Sequence, residues 1–202
     1  MPEQKNISAI VLDKEKRGET SVLLTAFSSE EGLVVMFKKM SSKKTSLVPD
    51  LFDEISCQVQ LPEANASINF LQQFDILEHR ESIGTSYEKL CCACELTSIV
   101  KLNGAHIYEK QSLFSLLSKA LESIEKSTSL AEIKIKFLYL LVKEQGYPIK
   151  EDFFKSLPEE DKNKFASILK TPISSESTSD NNAEKLYNAL KYWVQTQTDI
   201  IV

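Results

Sequence analysis

The feature that most constrains the fold of this chain is a change of hydrophobic period near residue 80. Before it, apolar residues come in short β-branched runs between charged turns; after it, they recur at helical spacing. Ile7–Leu12 is apolar with β-branched members, as a buried strand requires. Asp13–Gly18 reads as a charged turn closed by a glycine able to take a positive φ. Ser21–Phe27 and Leu33–Lys38 are further strands, separated by a second turn at Glu30, Glu31 and Gly32, so a hairpin meander is expected. Ile55–Leu61 alternates apolar and polar residues, Pro62–Ala66 turns, and Ile68–Leu77 supplies a last strand.

Five strands in about 75 residues is the count of a small OB-type barrel. Downstream, Tyr87, Leu90, Cys91, Cys94, Leu96 or Thr97, and Val100 mark a helix that Ser82 or Ser86 can cap and Asn103–Gly104 can end. Gln111–Glu125 forms a second helix. A third, capped by Ser129, carries Ile133, Ile135, Phe137, Leu138, Leu140, Leu141 and Val142 on most sides and therefore belongs at the centre of a helical domain. Gly146 and Pro148 stop it. Asp161–Lys170 is a short amphipathic helix, Ser174–Asn182 an exposed polar loop, and Ala183–Thr196 a last helix presenting Leu186, Leu190 and Trp193. The expected fold is α+β: a five-stranded OB-fold barrel over residues 1–80, then an α-helical domain over 81–202.

The totals exclude several function classes. The 202 residues, 42% hydrophobic and 26% charged, describe a soluble globular protein, and no apolar run approaches the roughly 18 residues of a membrane span. The N-terminal Met1–Asn6 lacks the apolar core of a secretory signal, so a cytoplasmic protein is expected. Cys91, Cys92 and Cys94 fall on one helix and point in different directions, while Cys57 lies in a strand. No metal site and no disulfide are expected. His79 and His106 have no acidic or cysteine neighbours at metal-ligand spacing, there is no glycine-rich phosphate loop, and no nucleophile, base and orienting group can be assembled, so the chain reads as a non-enzyme.

A net charge of −5 requires any nucleic-acid surface to be local. The strongest local signal is Lys38, Lys39, Lys43 and Lys44, four lysines in seven residues without an acid among them. Lysines beside an OB-type barrel can neutralise phosphates. Lys14, Lys16 and Arg17 can extend the patch, diluted by Asp13, Glu15 and Glu19. Among Phe27, Phe37, Phe52, Phe70 and Phe74, most are needed as inward-facing bulk, and Phe37, directly before the lysines, is the candidate stacking platform.

In the order of these features the chain resembles the bacterial DNA repair and recombination mediator family RecO. The resemblance is carried by Ala9–Leu12, Gly18-Glu19, Ser21, Leu23–Thr25 with Phe27, Glu31-Gly32, the lysine loop with Ser41 or Ser42, and Leu51-Phe52. In the helical half it is carried by Tyr87–Leu90, Leu113–Leu117 with Ala120-Leu121, and Phe137–Leu141 before Gly146-Tyr147. It implies an OB-fold and a helical domain in a protein that binds single- and double-stranded DNA and anneals complementary strands. Such a protein helps load the recombinase with RecR, engages the acidic, hydrophobic tail of single-strand-binding protein, and works at the bacterial nucleoid without a cofactor. For that tail, Lys134 and Lys136 beside Phe137 are the candidate contacts. Two departures stand out. Many members carry a four-cysteine zinc motif after the equivalent of Gly146–Pro148, whereas 149–202 contains no cysteine. The family's Ala-Lys-Gly is here Phe37-Lys38-Lys39-Met40. The alternative reading is a protein-interaction adaptor of the same fold with little DNA affinity.

Overall fold

The computed structural model describes residues 4–40, 47–60, 69–172 and 181–202. It is an α+β chain: strands β1 (Gln4–Lys16), β2 (Ser21–Ser28), β3 (Gly32–Lys39), β4 (Glu54–Gln60) and β5 (Asn69–Glu78) precede helices α1 (Tyr87–Asn103), α2 (Lys110–Lys126), α3 (Leu130–Glu144), α4 (Glu159–Lys170) and α5 (Asn181–Gln197). A 3-10 turn at Glu81–Thr85 and a π turn at Lys150–Phe154 complete the described elements. By contacts the chain divides into two units, Met1–Glu81 with Val100–Ser118, and Ser82–Ile99 with Lys119–Val202. This differs from the expected division into 1–80 and 81–202, because the segment 100–118 belongs with the strands.

In the first unit β1 pairs with β2 and β4, β2 with β3, and β4 with β5, all antiparallel, while β3 meets β5 in parallel. Every strand thus has two neighbours and the sheet closes on itself in the order β1-β2-β3-β5-β4. Alternation sends Ile7, Ala9, Val11, Val22, Leu24, Ala26, Val34, Met36, Ile55, Cys57, Val59 and Leu71 into one interior cluster. The turn expected at Asp13–Gly18 is shorter than that. An irregularity between Val11 and Asp13 lets β1 bend and continue beside β2 as far as Lys16, and Gly18 takes the positive φ of 69° that the remaining turn needs. Phe27, of opposite parity, is fully buried as well. Its ring lies against Gly104, where an added Cβ would sit 2.9 Å from Phe27 Cε2 and 2.7 Å from the Val100 carbonyl oxygen, so no side chain fits there.

Between β3 and β4 the backbone is pinned at Phe52, a non-glycine residue with φ of 71°. Its N–H donates to Val11 O (2.9 Å), and the Val11 N–H donates to Asp53 O (2.9 Å). The buried Arg80 guanidinium donates to Phe52 O (2.8 Å), Ser118 Oγ (3.1 Å) and Glu54 Oε2 (3.3 Å). Such over-determination is what holds a residue in a sparsely populated region of φ and ψ.

In the second unit α3 buries Ile133, Ile135, Phe137, Leu138, Leu141 and Val142. Phe165 of α4 is enclosed by the rings of Tyr139, Phe153 and Phe154, with centroids 5.9, 5.5 and 6.2 Å away, and Phe153 in turn meets Trp193 at 5.9 Å. Two helix details depart from expectation. In α1 the expected Leu96, Thr97 and Val100 are buried, together with Cys92, Ala93, Ile99 and Asn103, whereas Tyr87, Cys91 and Cys94 are exposed. Ser86 receives the Lys89 N–H and so starts α1, whereas Ser129 does not cap α3: its buried hydroxyl has no hydrogen-bond partner among the described residues.

Candidate nucleic-acid interface

Strand register gathers several of the candidate cations at one end of the closed sheet. Val22 pairs with Lys16 on one side and Lys38 on the other, and directly paired residues share a face, so these two lysines flank Val22 on the same side. With strands about 4.8 Å apart, their backbones are separated by about 10 Å. Ser21 pairs with Lys39 and accepts the Arg17 N–H, so Arg17 and Lys39 meet at the same end. Lys43 and Lys44 lie outside the described residues.

These cations are not equally available. Lys14 is held by Asp50 (2.7 Å) and Arg17 by Glu15 (2.8 Å). Lys38 donates to the carbonyl oxygens of Gln72 (2.9 Å) and Leu71 (3.4 Å), and its ammonium lies 5.8 Å from the Phe74 ring centroid. Partial burial lowers its pKa from the usual lysine value. Lys39 is exposed at the end of β3, and Lys16 at the end of β1.

Phe37 is half-buried and pairs in register with Phe70, itself 38% exposed; the two rings meet edge to face with centroids 6.0 Å apart. Phe70 points away from the interior because its neighbour Leu71 points in, and the extra residue Gln72 then shifts the alternation so that Phe74 turns inward. Phe27 and Phe52 are buried, and Phe74 packs partly on the interior cluster.

No protein-family model and no curated protein matches this chain.

The expected partner contacts are not brought together into a pocket. Phe137 is 1% exposed inside the second unit. Lys136, two residues away on the far side of the helix turn from Lys134, donates to Thr171 O, and partial burial lowers its pKa. Lys134 pairs with Glu184 (3.2 Å) and lies 4.4 Å from the Tyr187 ring centroid, near Glu95 at 3.7 Å. It belongs to a cluster in which Glu95 accepts from Lys191 Nζ (2.6 Å) and the Tyr187 hydroxyl (2.9 Å).

Burial by itself would raise the Glu95 pKa, but the Lys191 and Tyr187 hydrogen bonds outweigh it and hold the carboxyl below the usual glutamate value. The stability this contributes is therefore complete above the unfolded glutamate pKa and is lost as pH falls through the lower folded value. Acid melts of wild type and Glu95→Gln are expected to differ most near neutral pH and to converge as pH drops below about 4. A constant gap down to the acid limit would mean that ionised Glu95 contributes nothing.

His79, exposed and without an acid at metal-ligand spacing in the sequence, has its Nδ1 2.7 Å from Oδ1 of buried Asp53, and that hydrogen bond raises its pKa. The two residues are 26 apart in sequence, so no local pattern announces the pair. Burial pushes the Cys57 thiol up to about 11 and the Cys92 thiol up to about 12. Among the described residues no three metal-ligating side chains converge, and no helix is long and apolar enough to cross a membrane.

Proposed function

We propose that the chain is a RecO-like recombination mediator whose first unit is an OB-type barrel holding single-stranded DNA at the Lys16, Arg17, Lys38 and Lys39 end of the sheet. The observation that carries this reading is the strand order β1-β2-β3-β5-β4, with β3 parallel to β5 and cations converging on the β1–β2 turn and the end of β3. Phosphates are met by Lys16, Arg17, Lys39 and the Lys43 and Lys44 connection. Phe37 and Phe70 offer a sequence-tolerant stacking surface. Contacts of this kind leave Watson–Crick edges free, which suits annealing of complementary strands and binding of both single- and double-stranded DNA. Action with RecR and single-strand-binding protein in recombinase loading follows from the family reading.

The adaptor alternative is favoured by one observation: Lys14, Arg17 and Lys38 already have partners inside the protein. A titration of fluorescent single-stranded DNA at several salt concentrations separates the two. Wild type is expected to bind with a steep negative dependence on salt. Lys16→Ala/Arg17→Ala/Lys39→Ala should lower the slope of log K against log salt by about 2, given roughly 0.7 per phosphate contact on single strands. Phe70→Ala should weaken binding by about 1–3 kcal/mol with the slope unchanged. No binding by wild type at low salt would overturn the DNA reading in favour of the adaptor.

A further inference from the structure

β3 and β5 run side by side for only two register positions, Met36 with Asn69 and Phe37 with Phe70. β3 then ends at Lys39, while β5 continues, paired with β4, to Glu78. Leu71 pairs with Val59 and Gln73 with Gln58, which leaves Gln72 as an extra residue on β5. At this point Lys38 reaches across and takes the Leu71 and Gln72 carbonyl oxygens. Beyond it, the side of β5 turned away from β4 has no backbone partner among the described residues. The lane that β3 would have filled is a cleft of about 780 Å³. Phe74, Ile76, Leu47 and Val48 form its apolar walls, Lys38 and Lys39 stand at one end, and Asp75 is its one acidic member among the lining residues. Ile76 is 46% and Leu47 79% exposed, apolar surface that an open strand edge does not leave uncovered without cost.

From this geometry we infer that the cleft is a docking lane for an extended segment of a partner protein, which adds a strand along Gln73–Glu78 of β5. The recognition has two components. The β5 N–H and C=O groups turned away from β4, without a backbone partner among the described residues, select a peptide backbone over any ligand lacking alternating donors and acceptors. Apolar residues at every second position of the guest meet Phe74, Ile76 and Val48, and carboxylates of the guest meet Lys38 and Lys39, so the partner segment is acidic and alternately apolar. A nucleic acid satisfies the charge but not the strand edge. The lane shares Lys38 and Lys39 with the DNA reading, but Phe74, Ile76 and Val48 line the lane alone, so a change at Ile76 tells the two apart.

The test uses a fluorescein-labelled peptide of alternating Val or Ile and Asp or Glu, about six residues long to match the open edge. Two controls accompany it: the same peptide with Lys in place of the acids, and one N-methylated at alternate backbone nitrogens. The acidic peptide should bind the full chain. Ile76→Asp, at an exposed position that the fold does not need, should weaken it by about tenfold, and Lys38→Gln should weaken it and flatten its salt dependence. The N-methylated and lysine peptides should bind at least about tenfold more weakly than the acidic one. Equal binding of the N-methylated peptide would mean no strand is added, and equal binding of the lysine peptide would remove the charge argument. Either result, or no binding of the acidic peptide, overturns the proposal. So does a short single-stranded oligonucleotide that Ile76→Asp weakens as much as it weakens the peptide, because the cleft would then be part of the nucleic-acid site.

Discussion

Phe165→Ala is expected to destabilise the second unit by about 3–5 kcal/mol, the range for removing a fully enclosed phenyl ring. Phe165 has no exposed surface, and three aromatic rings stand against it within 6.2 Å. Small movements cannot close the resulting space, because Tyr139 is fixed in α3 and Phe153 in the π turn, each also packed elsewhere. The chain's one tryptophan makes the effect readable: Trp193 touches Phe153, which touches Phe165. Urea unfolding followed by Trp193 emission should shift to a distinctly lower midpoint with an unchanged slope. Phe154→Ala, a half-buried neighbour, should shift it less. If the two variants cost the same, Phe165 is not the centre of the aromatic cluster.

Arg80→Ala is expected to destabilise the first unit by about 3–5 kcal/mol. The loss comes from the groups the guanidinium leaves behind more than from the pair it makes. Glu54 would keep its carboxylate at 17% side-chain exposure without a cation, and the carbonyl of Phe52 would lose its donor in a backbone already at positive φ. Combining Arg80→Ala with Glu54→Gln should recover part of the loss, since the neutral amide removes the stranded charge. Hydrogen exchange of the β1 and β4 amides is the measurement. Wild-type protection in Arg80→Ala would show that Phe52 is held by its Val11 contacts alone.

The strands were legible because each has one face in the interior, so alternation marks Val22, Leu24 and Ala26 or Ile55, Cys57 and Val59 directly. What alternation could not reveal is which strands pair. The β3–β5 contact that sets Phe70 beside Phe37, and the Asp53–His79 and Arg80–Glu54 pairs, join residues at least 26 positions apart. In α1 the apolar residues Leu90, Cys91, Cys92, Ala93 and Cys94 surround the helix almost evenly. No stripe therefore picks out the buried side in the first turns, where Cys92 and Ala93 are buried and Cys91 and Cys94 are exposed, although Leu96, Thr97 and Val100 lie inside as expected. Lysine clusters are ambiguous for a related reason. Sequence shows charge but not its compensation, and here Lys14, Lys38, Lys134 and Lys136 all have partners inside the fold.

The boundary between the two units runs through α1 and α2 instead of through a linker. Cutting the chain after residue 80 would not release an intact sheet module, because Gly104 and Ser118, which meet Phe27 and Arg80, lie beyond the cut.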